Sequence, residues 1–399
     1  MNTLLSNIGK IITWQSERQS MIIDSESDIM IEDSLIIKIG QNLGHADHII
    51  DCQGNMVSPG FIDSHTHPVF MNGREEEFQM RLQGATYEEI ALAGGGIVSS
   101  INGVREATVD ELIGKVQNRM DTFLSLGTTT VEAKSGYGLD LESELKSLYV
   151  LDKVNQQHNI DIHPTFMGAH AFPPEYLENK DAYVENICQD MIPKVAEQGI
   201  AEYCDVFCEK GYFSVEQSRK ILHTAKQYKL KIRLHADEFV DSGAAELAGE
   251  MKACSADHLM AISDAGIQSL KDNQVVATLL PGTTFFLGKS SYAPYKKLKL
   301  AGIDIALATD FNPGSCYIQS MPFIVSLACI YLKMDILEAF KACTINGAKA
   351  LELENGVGSL EIGKKADIVI WNVEDPVEIP YNVKESLIRD VIKNGKSVK

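Results

Sequence analysis

Eight apolar, strand-like runs, each followed by a helix-like stretch, dominate the middle of this 399-residue chain. They are GFIDSHTH, GTTTVEAKSGYG, IDIHPTFMGAH, AEYCDVFCEKGYF, KIRLHADEF, KACSADHL, VVATLLPGTTFFL and IDIALATDFNPG. Intervening segments such as DELIGKVQNRMDTFLSLG and SVEQSRKILHTAKQYK carry helical periodicity and composition. Parallel strands need long crossovers, so this alternation predicts an α/β fold with a parallel sheet. Eight units predict a (β/α)8 TIM barrel, with a doubly wound open sheet as the alternative. The polar residues favour the barrel. His, Asp or Glu cluster near the C-terminal end of the runs, and a barrel gathers all eight ends at one face.

Hydrophobic residues at 45% and charged residues at 23% exclude wholesale disorder. Asp plus Glu number 55 against 36 Lys plus Arg, a net charge of −19. That balance argues against nucleic acid or an anionic membrane as a partner. The longest apolar runs are broken well short of a membrane span, and Met1 to Lys10 lacks the apolar stretch of a signal peptide. The eight Cys are scattered, so the chain reads as a reduced, cytoplasmic protein. Cys204 and Cys208 lie in an apolar run and read as buried thiols.

The two ends resemble each other and differ from the middle. SNIGKIITW, SLIIKIGQ and HIIDCQGNMVSPGF read as short strands near the start. Near the end, GSLEIGKKADIVIWNV predicts a strand, a Gly-Lys-Lys turn and a second strand, and LIRDVIKNGKSV predicts a hairpin at Asn394-Gly395.

His65 and His67 form an H-x-H pair at the end of the first run. Residues i and i+2 of a strand share a face, so both imidazoles reach one ion. His235 ends the fifth run and Asp310 the eighth. Three neutral imidazoles and a carboxylate suit zinc, iron or another transition metal, with a further position for water.

Together with the strand-six His in SADHL, the segments PGFIDSHTHP, RLHADEF, ATDFNPG and TINGAKALELENGVGSLEIGKKADIVIW resemble the amidohydrolase superfamily over essentially the whole chain. The resemblance implies one divalent transition metal per chain, zinc or iron. It implies a catalytic barrel over 58–356, and a composite β-sandwich domain from 1–57 and 357–399. It also implies hydrolysis or deamination of a small cyclic C–N compound. FIDSHTHPVFMNGREEEF, AKSGYGL, MGAHAFPPEY, DVFCEKGYFS, LHADEF and ATDFNPGSC are similar to the branch that opens 4-imidazolone-5-propanoate to N-formimidoyl-L-glutamate in histidine degradation. The alternatives are an amidohydrolase of the formimidoylglutamate, guanine or cytosine deaminase type, or a catalytically inactive binding barrel. The last should have lost a ligand, and all four are present. The resemblance leaves a homodimer open.

Carried over residue by residue, the resemblance makes His65, His67, His235 and Asp310 the metal ligands. Asp310 takes the water proton and passes it to the leaving ring nitrogen. His258 stabilises the oxyanion, with a fifth ligand or a core histidine as its alternatives. Glu238, three residues after His235, contacts the substrate ring and relays a proton, or is a solvated loop carboxylate. Arg74, one of eight arginines, offers a bidentate fork to the substrate carboxylate. Arg81, its neighbour, reads as a helix-surface residue. Tyr137, His170, Asn312, Gly314 and Ser315 match further substrate contacts. Tyr87 is a weaker match that also reads as helix packing. Some amidohydrolases bridge two metals with a strand-four lysine. Here that strand ends Cys208-Glu209-Lys210, where Lys210 reads as a turn residue, and Lys134 lies on strand two, so one metal is expected. GTTFFLGKS has five residues between its glycines where a phosphate loop needs four. Ala93 to Gly96 reads as a loop at the barrel mouth that orders over substrate.

Overall fold

The computed structural model describes residues 2–85, 89, 95–383 and 386–398. Seven strands come first: β1 (Asn2–Ser6), β2 (Lys10–Gln15), β3 (Ser20–Asp24), β4 (Asp28–Glu32), β5 (Leu35–Gly40), β6 (His48–Asp51) and β7 (Met56–Pro59). The eight predicted runs then supply β8 (Phe61–Thr66), β9 (Thr128–Lys134), β10 (Asp161–Ala169), β11 (Tyr203–Cys208), β12 (Lys231–Ala236), β13 (Ser255–His258), β14 (Val276–Leu279) and β15 (Ile305–Leu307). β16 (Ile368–Trp371), β17 (Ile388–Lys393) and β18 (Lys396–Ser397) close the chain.

β8 to β15 lie in sequential order and every neighbouring pair is parallel. Just beyond β15 the chain returns to β8. Asp310 N–H donates to the His65 carbonyl at 3.1 Å, and His67 N–H donates to the Phe311 carbonyl at 2.8 Å. This is the barrel, with eight strands in one ring, and the open sheet is excluded. All residues of β8, β9 and β11 are buried, as strands covered on both faces must be. The two helical segments quoted from the sequence form Val109–Ser125 and Val215–Gln227. Each starts at a capping box, Thr108 with Glu111 and Ser214 with Gln217, which satisfies first-turn N–H groups.

The terminal segments build a β-sandwich. One sheet runs β5-β4-β1-β6 and the other β18-β17-β16-β7-β2-β3. Leu5, Ile11, Ile29, Ile31, Ile36, Val57, Ile368, Ile370 and Ile392 share one apolar cluster. Asn394 and Gly395 both take left-handed φ, 51° and 77°, as a two-residue hairpin requires. The strand expected in GSLEI does not form. Leu360 N–H donates to the Thr13 hydroxyl at 2.7 Å instead of to a ladder. The Lys364 ammonium donates to Ser359 Oγ and to the Glu354 carbonyl, both at 2.6 Å, which curls the segment into turns. The sandwich meets the barrel at Asp161, the first residue of β10, which is ion-paired with Lys393 at 2.8 Å and Lys365 at 2.9 Å.

All eight cysteines are unpaired, and Cys204 and Cys208 are buried. Among the described residues, no helix is long and apolar enough to cross a membrane. GTTFFLGKS is no phosphate loop: β14 ends at Leu279, and Pro281 opens the helix Pro281–Phe286.

Candidate metal centre and active site

The four predicted ligands meet at the C-terminal face of the barrel, and all are buried. His67 Nε2 lies 3.3 Å from His65 Nε2 and 3.3 Å from His235 Nε2. Asp310 Oδ1 lies 3.6 Å from His65 Nε2 and 3.5 Å from His67 Nε2. Two nitrogen donors about 2.0–2.1 Å from one ion at a tetrahedral angle are about 3.4 Å apart, so the spacing fits a single metal.

The protonation pattern fits as well. His65 Nδ1 faces Asp257 Oδ2 at 2.7 Å, and His235 Nδ1 faces Asp205 Oδ1 at 3.0 Å. Each carboxylate draws the ring proton to Nδ1 and leaves the Nε2 lone pair aimed inward. Burial, reinforced by Lys134 and His235, holds His65 and His67 well below the usual imidazole range. They are therefore neutral, as ligands must be. The Nε2 lone pairs of His65 and His235 thus converge on His67 Nε2, an arrangement that suits a cation.

Asp310 is aimed from outside the ligand set. Its Oδ2 accepts from the Thr283 hydroxyl at 2.5 Å, which leaves Oδ1 toward the imidazoles. Asp310 and His258 adopt left-handed φ values of 55° and 80°, uncommon for residues with side chains. His258 stands beside His235 and His65, with ring centroids 5.2 and 5.5 Å away. Neither of its ring nitrogens has a hydrogen-bond partner among the described residues. Burial lowers its pKa to about 3, so the ring is neutral. His65, His235 and His258 can each place a donor atom within 4.8 Å of the others, which leaves open the reading of His258 as a further ligand. Glu238 Oε2 is 3.8 Å from His258 Nε2. Burial, with Asp310 adding to it, raises the Glu238 carboxyl to about 8, so it is no solvated loop carboxylate.

The remaining candidates divide. Arg74 donates through Nε and Nη2 to both oxygens of Glu77, at 2.7 and 2.5 Å, and Glu77 also accepts from Gly96 N–H. Gly314 lies against the Arg74 guanidinium, and Arg81 Nη2 donates to the Gly314 carbonyl at 2.9 Å. Arg81 is thus no free surface residue: it is partly buried beside Phe78 and Phe286. The Asn312 amide is used within its own loop, donating to the Asp310 carbonyl and accepting from Gly314 and Ser315 N–H. The Ser315 hydroxyl is likewise bonded to Asn312. Tyr137 and His170 reach the ligands directly. His170 stacks on His67 with centroids 5.0 Å apart, and Tyr137 lies 5.1 Å from His170. Glu144 shapes their loop by accepting from Gly136, Gly138 and Leu139 N–H at 2.9–3.2 Å. Lys210 is an exposed turn residue. Tyr87, Ala93 and Gly94 lie outside the described residues.

Sequence reasoning missed Asp205, Asp257, Thr283 and Glu144. The clearest signal was Asp205, a lone acid inside the fully buried strand YCDVFC. An acid there needs a partner, and a nearby histidine is one.

A TIM barrel flanked by a terminal β-sandwich, with three inward imidazoles and a strand-eight aspartate, defines a metal-dependent hydrolase class, and the chain belongs to the amidohydrolase family, whose pattern matches residues 56–398. Within it, the chain groups with the imidazolonepropionases. It is 46% identical to the imidazolonepropionase of Clostridium tetani, covering 100% of this chain and 98% of that protein. It is also 46% identical to that of Phocaeicola vulgatus, covering 92% and 90%. Among solved structures, a guanine deaminase from C. acetobutylicum superposes with a TM-score of 0.73 at 20% identity, over the full length of both chains. A triazine hydrolase variant superposes at 0.75 and 18% identity, covering 99% and 94%. At such identities these two show the fold alone. The family uses a divalent metal, and this chain has a His/Asp site for one.

Proposed function

We infer that the protein hydrolyses 4-imidazolone-5-propanoate to N-formimidoyl-L-glutamate, with zinc or iron held by His65, His67, His235 and Asp310. The observation that carries this reading is the near-full-length likeness to imidazolonepropionases in a chain that keeps all four donors around one point. When bound, the ion lowers the pKa of a water molecule and polarises the ring carbonyl.

The protein's own groups handle protons and position. Asp310 Oδ1, fixed by the Thr283 bond to Oδ2, takes the proton from the attacking water and delivers it to the ring nitrogen as the C–N bond breaks. His258, neutral and without a hydrogen-bond partner among the described residues, donates to the oxygen on which negative charge develops. Glu238 is protonated near neutral pH and donates to the substrate ring. Arg74, held by Glu77, receives the propionate. The eight free thiols support a reducing, cytoplasmic setting.

The test is a direct assay with imidazolonepropionate, following loss of its ultraviolet absorbance. Absence of hydrolysis, with ammonia released from guanine or cytosine instead, would place the protein among the deaminases. Metal analysis of the purified protein should find about one equivalent per chain. Finding none, with activity indifferent to chelator, would remove the metal from the mechanism.

A further inference from the structure

Around the metal donors, the buried charged side chains of the barrel strands include Glu132, Lys134, Asp205, Arg233 and Asp257, none with solvent exposure. Lys134 Nζ lies 2.7 Å from Glu132 Oε1 and 2.9 Å from Asp205 Oδ2. The other oxygen of Asp205 faces His235 Nδ1 at 3.0 Å. A buried ion pair is a poor device for stability, because desolvation offsets its attraction. A carboxylate ion-paired at one oxygen, however, has its other oxygen restrained in direction, here alongside the His235 backbone N–H that donates to Asp205 Oδ1 at 3.2 Å.

We propose that Lys134 is a positioning residue for the metal centre: by holding Asp205 Oδ2 it keeps Asp205 Oδ1 on His235 Nδ1, and so aims His235 Nε2 at the point shared with His65 and His67. The proposal rests on the reading of those side chains as metal ligands. Arg233 stands in a similar relation to His65, with Nη2 3.0 Å from Asp257 Oδ2. It also binds the carbonyls of Ser64 and Ala350, so its loss would disturb the backbone too. The ion-pair partners of Lys134 are side chains, which makes it the cleaner probe.

The test is a double-mutant cycle on zinc affinity, measured by chelator competition on metal-free Lys134→Met, Asp205→Asn and the double variant. Visible spectra of the cobalt-loaded proteins and thermal unfolding of the metal-free forms accompany it. Lys134→Met should weaken zinc binding roughly 10- to 100-fold and shift the cobalt bands. In the Asp205→Asn background the same change should cost less than about threefold. If Lys134→Met does not fold, Glu132→Gln/Lys134→Met removes one charge of each sign and should show the same loss. Unchanged affinity and spectrum, or an equal loss in both backgrounds, overturns the proposal while the metal reading stands. A wild-type protein that binds no zinc refutes the metal reading, and the proposal with it.

Discussion

Replacing Gly314 by Ala puts a methyl group where the structure has no room for one. A Cβ there would lie 2.4 Å from Arg74 Nη1 and 2.9 Å from Arg74 Cζ, against 3.4–4 Å for ordinary contact. Gly314 is not among the glycines with positive φ, so alanine suits its backbone and the conflict is one of contact alone. The guanidinium must retreat by about 1 Å, a displacement that can cost as much as 100-fold at a positioned group. Retreat also disturbs the paired bonds to Glu77 that hold the fork. A charge-assisted hydrogen bond contributes about 1.5–3 kcal/mol, which at 1.4 kcal/mol per tenfold is roughly 10- to 100-fold in substrate binding. Steady-state kinetics on imidazolonepropionate should show KM rising by that factor with kcat nearly unchanged, because the carboxylate is remote from the bond that breaks. Metal content and Tm should match wild type, and the substitution should add nothing in an Arg74→Ala background. An unchanged KM in Gly314→Ala would refute the assignment of Arg74 to the substrate carboxylate.

Three further outcomes follow from contacts elsewhere. Thr283→Val removes the donor to Asp310 Oδ2, so kcat of the metal-saturated enzyme should fall about tenfold, the equivalent of one hydrogen bond to a charged group; a wild-type kcat would show that Asp310 needs no such support. Burial raises the pKa of Asp161, but Lys393 and Lys365 outweigh it and hold the group below the usual carboxylate range. A depressed carboxylate stabilises the fold above its unfolded pKa and loses that contribution as pH falls through its folded value. Asp161→Asn should therefore lower stability by about 1–2 kcal/mol at pH 7, with the gap to wild type closing in strong acid; a gap independent of pH in chemical denaturation would contradict this. Glu144→Gln keeps one acceptor oxygen for Gly138 and Leu139 N–H but turns an NH2 toward Gly136 N–H, and should cost about 1–3 kcal/mol while raising KM through the Tyr137 loop; wild-type stability and KM would dissociate Glu144 from that loop.

The barrel was legible because most of the strand runs carry His, Asp or Glu near one end. The two-residue strand period that paired His65 with His67 also describes Glu132 with Lys134 and Arg233 with His235. Those pairs escaped notice because buried charges are recognised by their partners, and the partners lie on other strands. Thr283 was hidden differently. VVATLLPGTTFFL reads as one apolar run, but Pro281 turns it into a helix, and that turn brings the hydroxyl to Asp310. Arg81 looked solvent-facing because helix periodicity does not register Gly314, more than two hundred residues away, whose carbonyl it binds. GSLEI has strand composition, but Thr13 and Lys364 supply bonding partners that a ladder would otherwise provide.

The interleaved sandwich sheet has a consequence for biosynthesis. β7 pairs in parallel with β2 on one side and antiparallel with β16 on the other. The second partner is about 300 residues downstream, the length of the whole barrel. At about 5–20 residues per second, a ribosome leaves that edge of β7 open for roughly 15–60 s. Val57, buried in the finished protein, therefore sits on an unsatisfied edge while the barrel is being made. Release from the ribosome before β16 emerges should yield chains that aggregate through this edge, even with every barrel strand already synthesised.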